Sequence, residues 1–131
     1  MKLVVRSFVS GGISVVVIPA PIRKLSNLTV SEHYVMYADR DRDVIVLYTL
    51  PHRRGSIPTD LENVTLVKPF KFADGVVVAI PKKILRYMDL PARMEYEVEY
   101  VKGEDVIVYR PRRSSRHYQI YLQEKDLYGE P

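Results

Sequence analysis

The chain has 131 residues, 47% hydrophobic and 27% charged, with a formal net charge of +4. That length supports one domain with a real core and is too short for two ordinary ones. The absence of cysteine excludes disulfides, thiolate catalysis and cysteine-ligated zinc; there is no membrane-length apolar run and no signal-peptide pattern, so a soluble cytoplasmic protein is expected.

In chain order, residues 2–9 and 14–18 are β-branched, apolar stretches separated by Ser10-Gly11-Gly12, a hairpin signal. Pro19 and Pro21 end the second strand, because proline cannot donate to a ladder, and both suit the opening of a helix. The spacing predicts a short helix over 20–27 with Ile22 and Leu25 on one face. A second hairpin, 33–38 and 44–49, closes around the solvated tip Asp39-Arg40-Asp41-Arg42-Asp43. The first unit, 1–50, thus reads strand, strand, helix, strand, strand. A connector with Pro and Gly follows over 51–63.

The second unit, 64–110, repeats the order. Strands over 66–72 and 76–80 flank Ala73-Asp74-Gly75, a turn for which Asp and Gly supply the backbone geometry. Pro81 opens a helix over 82–88, with Ile84, Leu85 and Met88 inside and Lys82, Lys83 and Arg86 outside. Residues 94–101 alternate, Met94, Tyr96, Val98 and Tyr100 on one side and Glu95, Glu97 and Glu99 on the other, and 106–110 closes the unit. In the extension, 111–131, Tyr118, Ile120 and Leu122 alternate like a strand that joins a partner or packs back on its own body.

The two units are copies. A gapless shift of 62 positions superposes Val5 on Val67, Phe8 on Phe70, Ile18-Pro19 on Ile80-Pro81, Ile22 on Ile84, Tyr34 on Tyr96, and the run Asp43-Val44-Ile45-Val46 on Asp105-Val106-Ile107-Val108. Register held over a whole unit marks an internal duplication, and at this length the copies share one core. The densest cationic stretch is Arg110, Arg112, Arg113 and Arg116, with no acid among them. Clustered guanidinium groups suit phosphate, which they pair bidentately. Few Asn and Gln, no Cys or Trp and abundant Tyr, Val, Arg and Glu lean toward an archaeal or other heat-adapted source.

The run Val16-Val17-Ile18-Pro19, then Ile22-Arg23 and Leu28, resembles the signature of the AbrB/MazE/SpoVT family of swapped-hairpin transcription regulators. Val78-Ala79-Ile80-Pro81-Lys82-Lys83-Ile84, with Met88 and Leu90, is similar, so the resemblance covers most of the chain. The chain departs from the family after each helix, where Ser26-Asn27-Leu28 and Met88-Asp89-Leu90 stand in place of the usual Leu-Gly-Ile, and Arg23 is matched by Leu85. The resemblance implies a mainly β fold: a pseudo-twofold swapped-hairpin, cradle-loop β-barrel built from two ββαββ repeats, each with one short helix. Such a barrel leaves no open sheet edge and would be a monomeric pseudo-dimer, or a homodimer through outside surfaces.

The resemblance also implies double-stranded DNA as the partner, bound through a basic face. By position the candidates are Arg6, Arg23 and Lys24 in the first copy and Lys68, Lys71, Lys82, Lys83 and Arg86 in the second, joined by Arg110, Arg112, Arg113 and Arg116. No catalytic, metal or cofactor site is read. His33, His52 and His117 lack a second ligand at metal spacing, and the aspartate-rich tip lacks the glycine and terminal glutamate of a calcium loop. The alternative from another class is a protein-interaction module, antitoxin-like or adaptor-like, working through its C-terminal tail.

Overall fold

The computed structural model describes residues 2–52 and 63–128; most of the connector, 53–62, lies outside the described residues. The first copy forms β1 (Lys2–Arg6), β2 (Phe8–Ser10), β3 (Ile13–Ile18), α1 (Ala20–Ser26), β4 (Tyr34–Asp39) and β5 (Val44–Tyr48). The second forms β6 (Val64–Val67), β7 (Phe70–Phe72), β8 (Gly75–Ile80), α2 (Lys82–Met88), β9 (Glu95–Val101) and β10 (Val106–Pro111), and α3 (Arg116–Tyr128) ends the chain. A shift of 62 carries β2, β3 and α1 onto β7, β8 and α2 residue for residue. Among the described residues no helix is long and apolar enough to cross a membrane.

The fold is mainly β and antiparallel. One sheet runs β1-β9-β10-β5-β4-β6 and the other β2-β3-β8-β7. Each order reads the same when the copies are exchanged. In both sheets the central pair joins the copies, and it does so symmetrically: Val16 lies opposite Val78 and Val46 opposite Val108, each residue facing its own counterpart. A pseudo-twofold axis therefore passes through both pairs. The edge strands are exchanged as well, β1 pairing with β9 and β6 with β4.

The sequence led to one closed barrel, whereas the ladders of the described residues make two sheets. The reason sits at two corners. The strand expected over 2–9 breaks at Ser7, whose backbone N–H bonds the Met94 carbonyl at 2.8 Å and whose Oγ accepts the Met94 N–H at 2.7 Å. Its counterpart is Pro69, which has no N–H to give, so the strand expected over 66–72 breaks there too. The chain thus leaves one sheet and enters the other at Ser7 and at Lys68-Pro69.

Core positions repeat faithfully. Ile22 and Ile84, Tyr34 and Tyr96, Met36 and Val98, Ile45 and Ile107, Leu47 and Tyr109 are all buried at counterpart positions. Each fully buried apolar side chain of this size contributes about 1.5–3 kcal/mol. Both helices begin after a proline and end at a left-handed residue, Asn27 (φ 60°) and Asp89 (φ 54°), types that tolerate this conformation. Leu25, expected inside α1, is 53% exposed, because α1 buries Ile22 and Ser26, four apart, instead. In the β7–β8 turn the left-handed residue is Ala73 (φ 52°), matching Gly11 (φ 59°), and not Asp74 or Gly75.

The extension is a helix, not the strand its alternation suggested. Tyr118, Tyr121 and Leu122, spaced three and four apart, pack against the main core. Arg113 anchors it. Its Nε and Nη2 bond the Asp43 carboxylate at 2.8–3.1 Å, Nη2 bonds the Met88 carbonyl at 2.7 Å, and Nη1 bonds the Tyr118 hydroxyl at 2.8 Å. The tip between β4 and β5 is therefore tied down as well, helped by Arg40, which bonds the Tyr87 carbonyl and lies 3.9 Å over the Tyr87 ring. Further along α3, Lys125 and Tyr121 both bond Asp89 Oδ1, at 2.7 and 3.0 Å.

Three consequences are measurable. Arg113→Ala should lower the unfolding free energy by about 2–3 kcal/mol in urea titrations, and Arg113→Lys should recover little of it, since an ammonium lacks the planar fork. The hydrogen bond from Lys125, with that from Tyr121, holds the Asp89 carboxyl below the usual aspartate range despite partial burial. A depressed folded-state pKa contributes stability above the unfolded value and loses it as pH falls through the folded one, below roughly pH 4. Asp89→Asn, the residue type that Asn27 already places in this conformation, should thus be less stable at neutral pH and lose less on acidification. Finally, the Tyr96 hydroxyl is buried without a hydrogen-bond partner among the described residues. Tyr96→Phe should raise the unfolding free energy by about 1 kcal/mol, and a clear loss would contradict that geometry.

Candidate nucleic-acid interface

The candidate cations divide into two populations. One is already engaged on the six-stranded sheet and its extension. Arg6 lies 3.9 Å from the Glu95 carboxylate, and Arg112 bonds the same carboxylate from the other side. Lys2 similarly meets Glu97 at 3.7 Å. These three are cross-strand pairs of opposite charge, each worth a fraction of a kcal/mol, whereas Arg110, opposite Glu97 in the ladder, makes no ion pair among the described residues. Arg113 is half-buried: desolvation opposes its charge, but Asp43 and Tyr118 outweigh this and hold its pKa above the usual arginine value. The Arg110 to Arg116 cluster, read from the sequence as one phosphate site, is thus drawn apart by acids distant in sequence, leaving Arg116 exposed at the start of α3.

The second population occupies the four-stranded sheet and the two helices that continue its central strands. Residues 8–27 and 68–88 hold Arg23, Lys24, Lys68, Lys71, Lys82, Lys83 and Arg86 against Asp74 alone, a net of +6. The other described residues hold eleven Lys and Arg against twelve Asp and Glu, a net of −1. None of the seven forms an ion pair among the described residues; Lys83 Nζ bonds the Val64 carbonyl at 2.8 Å.

Strand register places these cations at the two ends of the β3–β8 pair. Lys71 is opposite Val76, and Val76 is opposite Ile18, which leads through Pro19 into α1 with Arg23 and Lys24. At the other end Ile80 is opposite Ser14, so Lys82, Lys83 and Arg86 follow beside the β2–β3 turn. Among the candidate cations two positions are cationic in both copies, Arg6 with Lys68 and Lys24 with Arg86.

Sequence reasoning passed over the outward side of this sheet. Val16, Ile18, Val78 and Ile80 point to the core, so Val15, Val17, Val77 and Ala79 point out, with Phe8 opposite Val15 and Phe70 opposite Val77. All three phenylalanines of the chain lie there: Phe8 and Phe72 have ring centroids 4.9 Å apart, while Phe70 and Phe72 stay about two-fifths exposed. The available signal was the exposed run Phe70-Lys71-Phe72, aromatic and basic by turns. Among the described residues no group of His, Cys, Asp and Glu is placed to hold a metal ion. Comparison of the chain with family models, with curated proteins and with solved structures returned no match.

Proposed function

We propose that the chain is a DNA-binding protein of the AbrB-like, swapped-hairpin kind, a transcription regulator that contacts duplex DNA through its four-stranded sheet and paired helices. The observation that carries this reading is the segregation of charge, +6 on that half and −1 on the other described residues. The two strands that bend between sheets at Ser7 and Pro69 support reading both sheets as walls of one pseudo-dimeric barrel closed within a single chain. Lys and Arg without ion pairs among the described residues, at both ends of the β3–β8 pair, suit phosphates on the two strands of a duplex, whose own twofold symmetry matches the pseudo-axis. Phosphate contacts position the protein. With few side chains suited to base edges, sequence preference would come from DNA shape.

The protein-interaction reading has two exposed apolar surfaces to draw on. Of the tail's apolar side chains, Tyr118, Tyr121 and Leu122 pack on the chain's own core while Ile120 and Leu127 stay exposed, so a protein partner would meet these two on α3, or Ile13, Phe70 and Phe72 on the four-stranded sheet.

Fluorescence anisotropy of a labelled duplex at two salt concentrations tests the DNA reading. With about four phosphates neutralised, affinity should fall roughly 100-fold from about 50 to 200 mM salt. Replacing Lys24, Lys82 and Arg86 together by Ala should flatten the salt slope by about 2–3 units, while Arg6→Ala with Arg112→Ala changes it little. Salt-insensitive binding, or equal loss in both variants, would sink the proposal.

A further inference from the structure

A cavity of about 310 Å³ opens on the outer side of the six-stranded sheet, at its centre, where β5 of the first copy pairs with β10 of the second. Every residue that lines it has its counterpart, 62 positions away, in the lining too. The cavity therefore sits on the pseudo-twofold axis. Its floor has stayed symmetric: Val44 matches Val106 and Val46 matches Val108, and they form an apolar cluster separate from the main core.

The walls have not stayed symmetric. Tyr37 is matched by Glu99, and Tyr48 by Arg110. One wall is thus a pair of aromatic rings, centroids 5.7 Å apart, and the other carries a carboxylate and a guanidinium. Burial, with Tyr48 and Asp39 beside it, raises the Tyr37 phenol above the usual tyrosine value. On the rim Arg42 is matched to its neighbour Asp39 at 3.7 Å, but neither Glu99 nor Arg110 makes an ion pair among the described residues. Folding needs the valine floor, since both copies keep it; it does not need two unpaired charges of opposite sign facing two tyrosines.

We propose that this cavity binds a small zwitterion with an apolar side chain, of the class of the aliphatic and aromatic α-amino acids. Arg110 receives the carboxylate, which its planar fork matches, and Glu99 receives the ammonium. The side chain lies over the valines against Tyr37 and Tyr48. A volume of about 310 Å³ stands at the lower limit of small-molecule sites, the right scale for a metabolite of this size. This inference rests on the sheet opposite the cationic half and is independent of the DNA reading.

Isothermal titration of the whole chain with the standard amino acids, each to about 10 mM, and with the N-acetyl and amide derivatives of any that bind, tests it. Expected is saturable one-to-one binding of an apolar or aromatic amino acid, weakened at least about tenfold by either blocking group. Glu99→Gln should weaken the free amino acid and no longer distinguish it from its N-acetyl form; Arg110→Gln should do the same for the amide. Unliganded melting temperatures establish that the variants fold. No binding by any member, or binding unchanged in both variants, overturns the proposal. So does sedimentation as a dimer that Val46→Arg dissociates, which would assign the cavity to a second copy of the chain.

Discussion

Pairing of each copy with its own counterpart across the pseudo-twofold axis is the constraint on which the rest of the structure depends. A residue on such an axis faces itself, so a charge there would meet its like at cross-strand distance, a destabilising arrangement. Valine at 16, 78, 46 and 108 satisfies the requirement, being apolar, β-branched and self-complementary in both sheets. Exchange of edge strands follows from the same axis. With β1 lent to β9 and β6 to β4, neither copy can bury Ile22, Tyr34 or their counterparts by itself. A single chain then removes the association entropy that two separate halves would have to overcome.

Against that symmetry the C-terminal extension acts at only one of the two sites that the pseudo-axis makes equivalent, where the β4–β5 tip of the first copy meets α2 of the second. Arg113 reaches Asp43 and the end of α2, but 62 positions before it stands Pro51, which has no side chain able to repeat the contact on Asp105. The carbonyl of Asp105 instead accepts the Thr49 N–H at 2.8 Å. Asymmetry reaches the core as well. The Tyr34 hydroxyl accepts the Thr29 N–H at 3.0 Å, whereas the matching hydroxyl of Tyr96 is buried without a partner among the described residues. Duplication supplied two equivalent sites, and the added helix made them unequal.

What the sequence displayed follows from this division. The repeated core, the four hairpins and both short helices were legible because burial imposes the same residue type at both members of a pair. The break at Ser7 was not, since its cause is a bond to a segment some 85 residues away. Nor was α3: Tyr118, Ile120 and Leu122 alternate as in a strand, Tyr118, Tyr121 and Leu122 recur as in a helix, and only the contacts of Tyr118 and Tyr121 decide between them. The densest cationic run misled for a related reason. Density along the chain is not density in space, and Glu95 and Asp43 enter from other strands to engage Arg112 and Arg113. The sparser cations, two or three per element, are the ones that folding leaves without acids.

That residue of charge is itself informative. Glu95 and Glu97 of β9 meet Lys2, Arg6 and Arg112, so this side of the six-stranded sheet carries most of its charges in compensating pairs. The four-stranded half has no such lattice; its outward strand positions are apolar, and all its cations but Lys71 of β7 stand on loops and helices, where no fold requirement places them. Like charges gathered this way oppose folding and concentrate a positive potential, which is tolerable where the surface meets a polyanion. The same logic applies at the other end of the pseudo-axis. There the floor of the cavity obeys the symmetry that folding demands, while Glu99 and Arg110 depart from their counterparts without gaining an ion pair among the described residues. In both places the informative residues are those that the duplicated scaffold leaves unexplained.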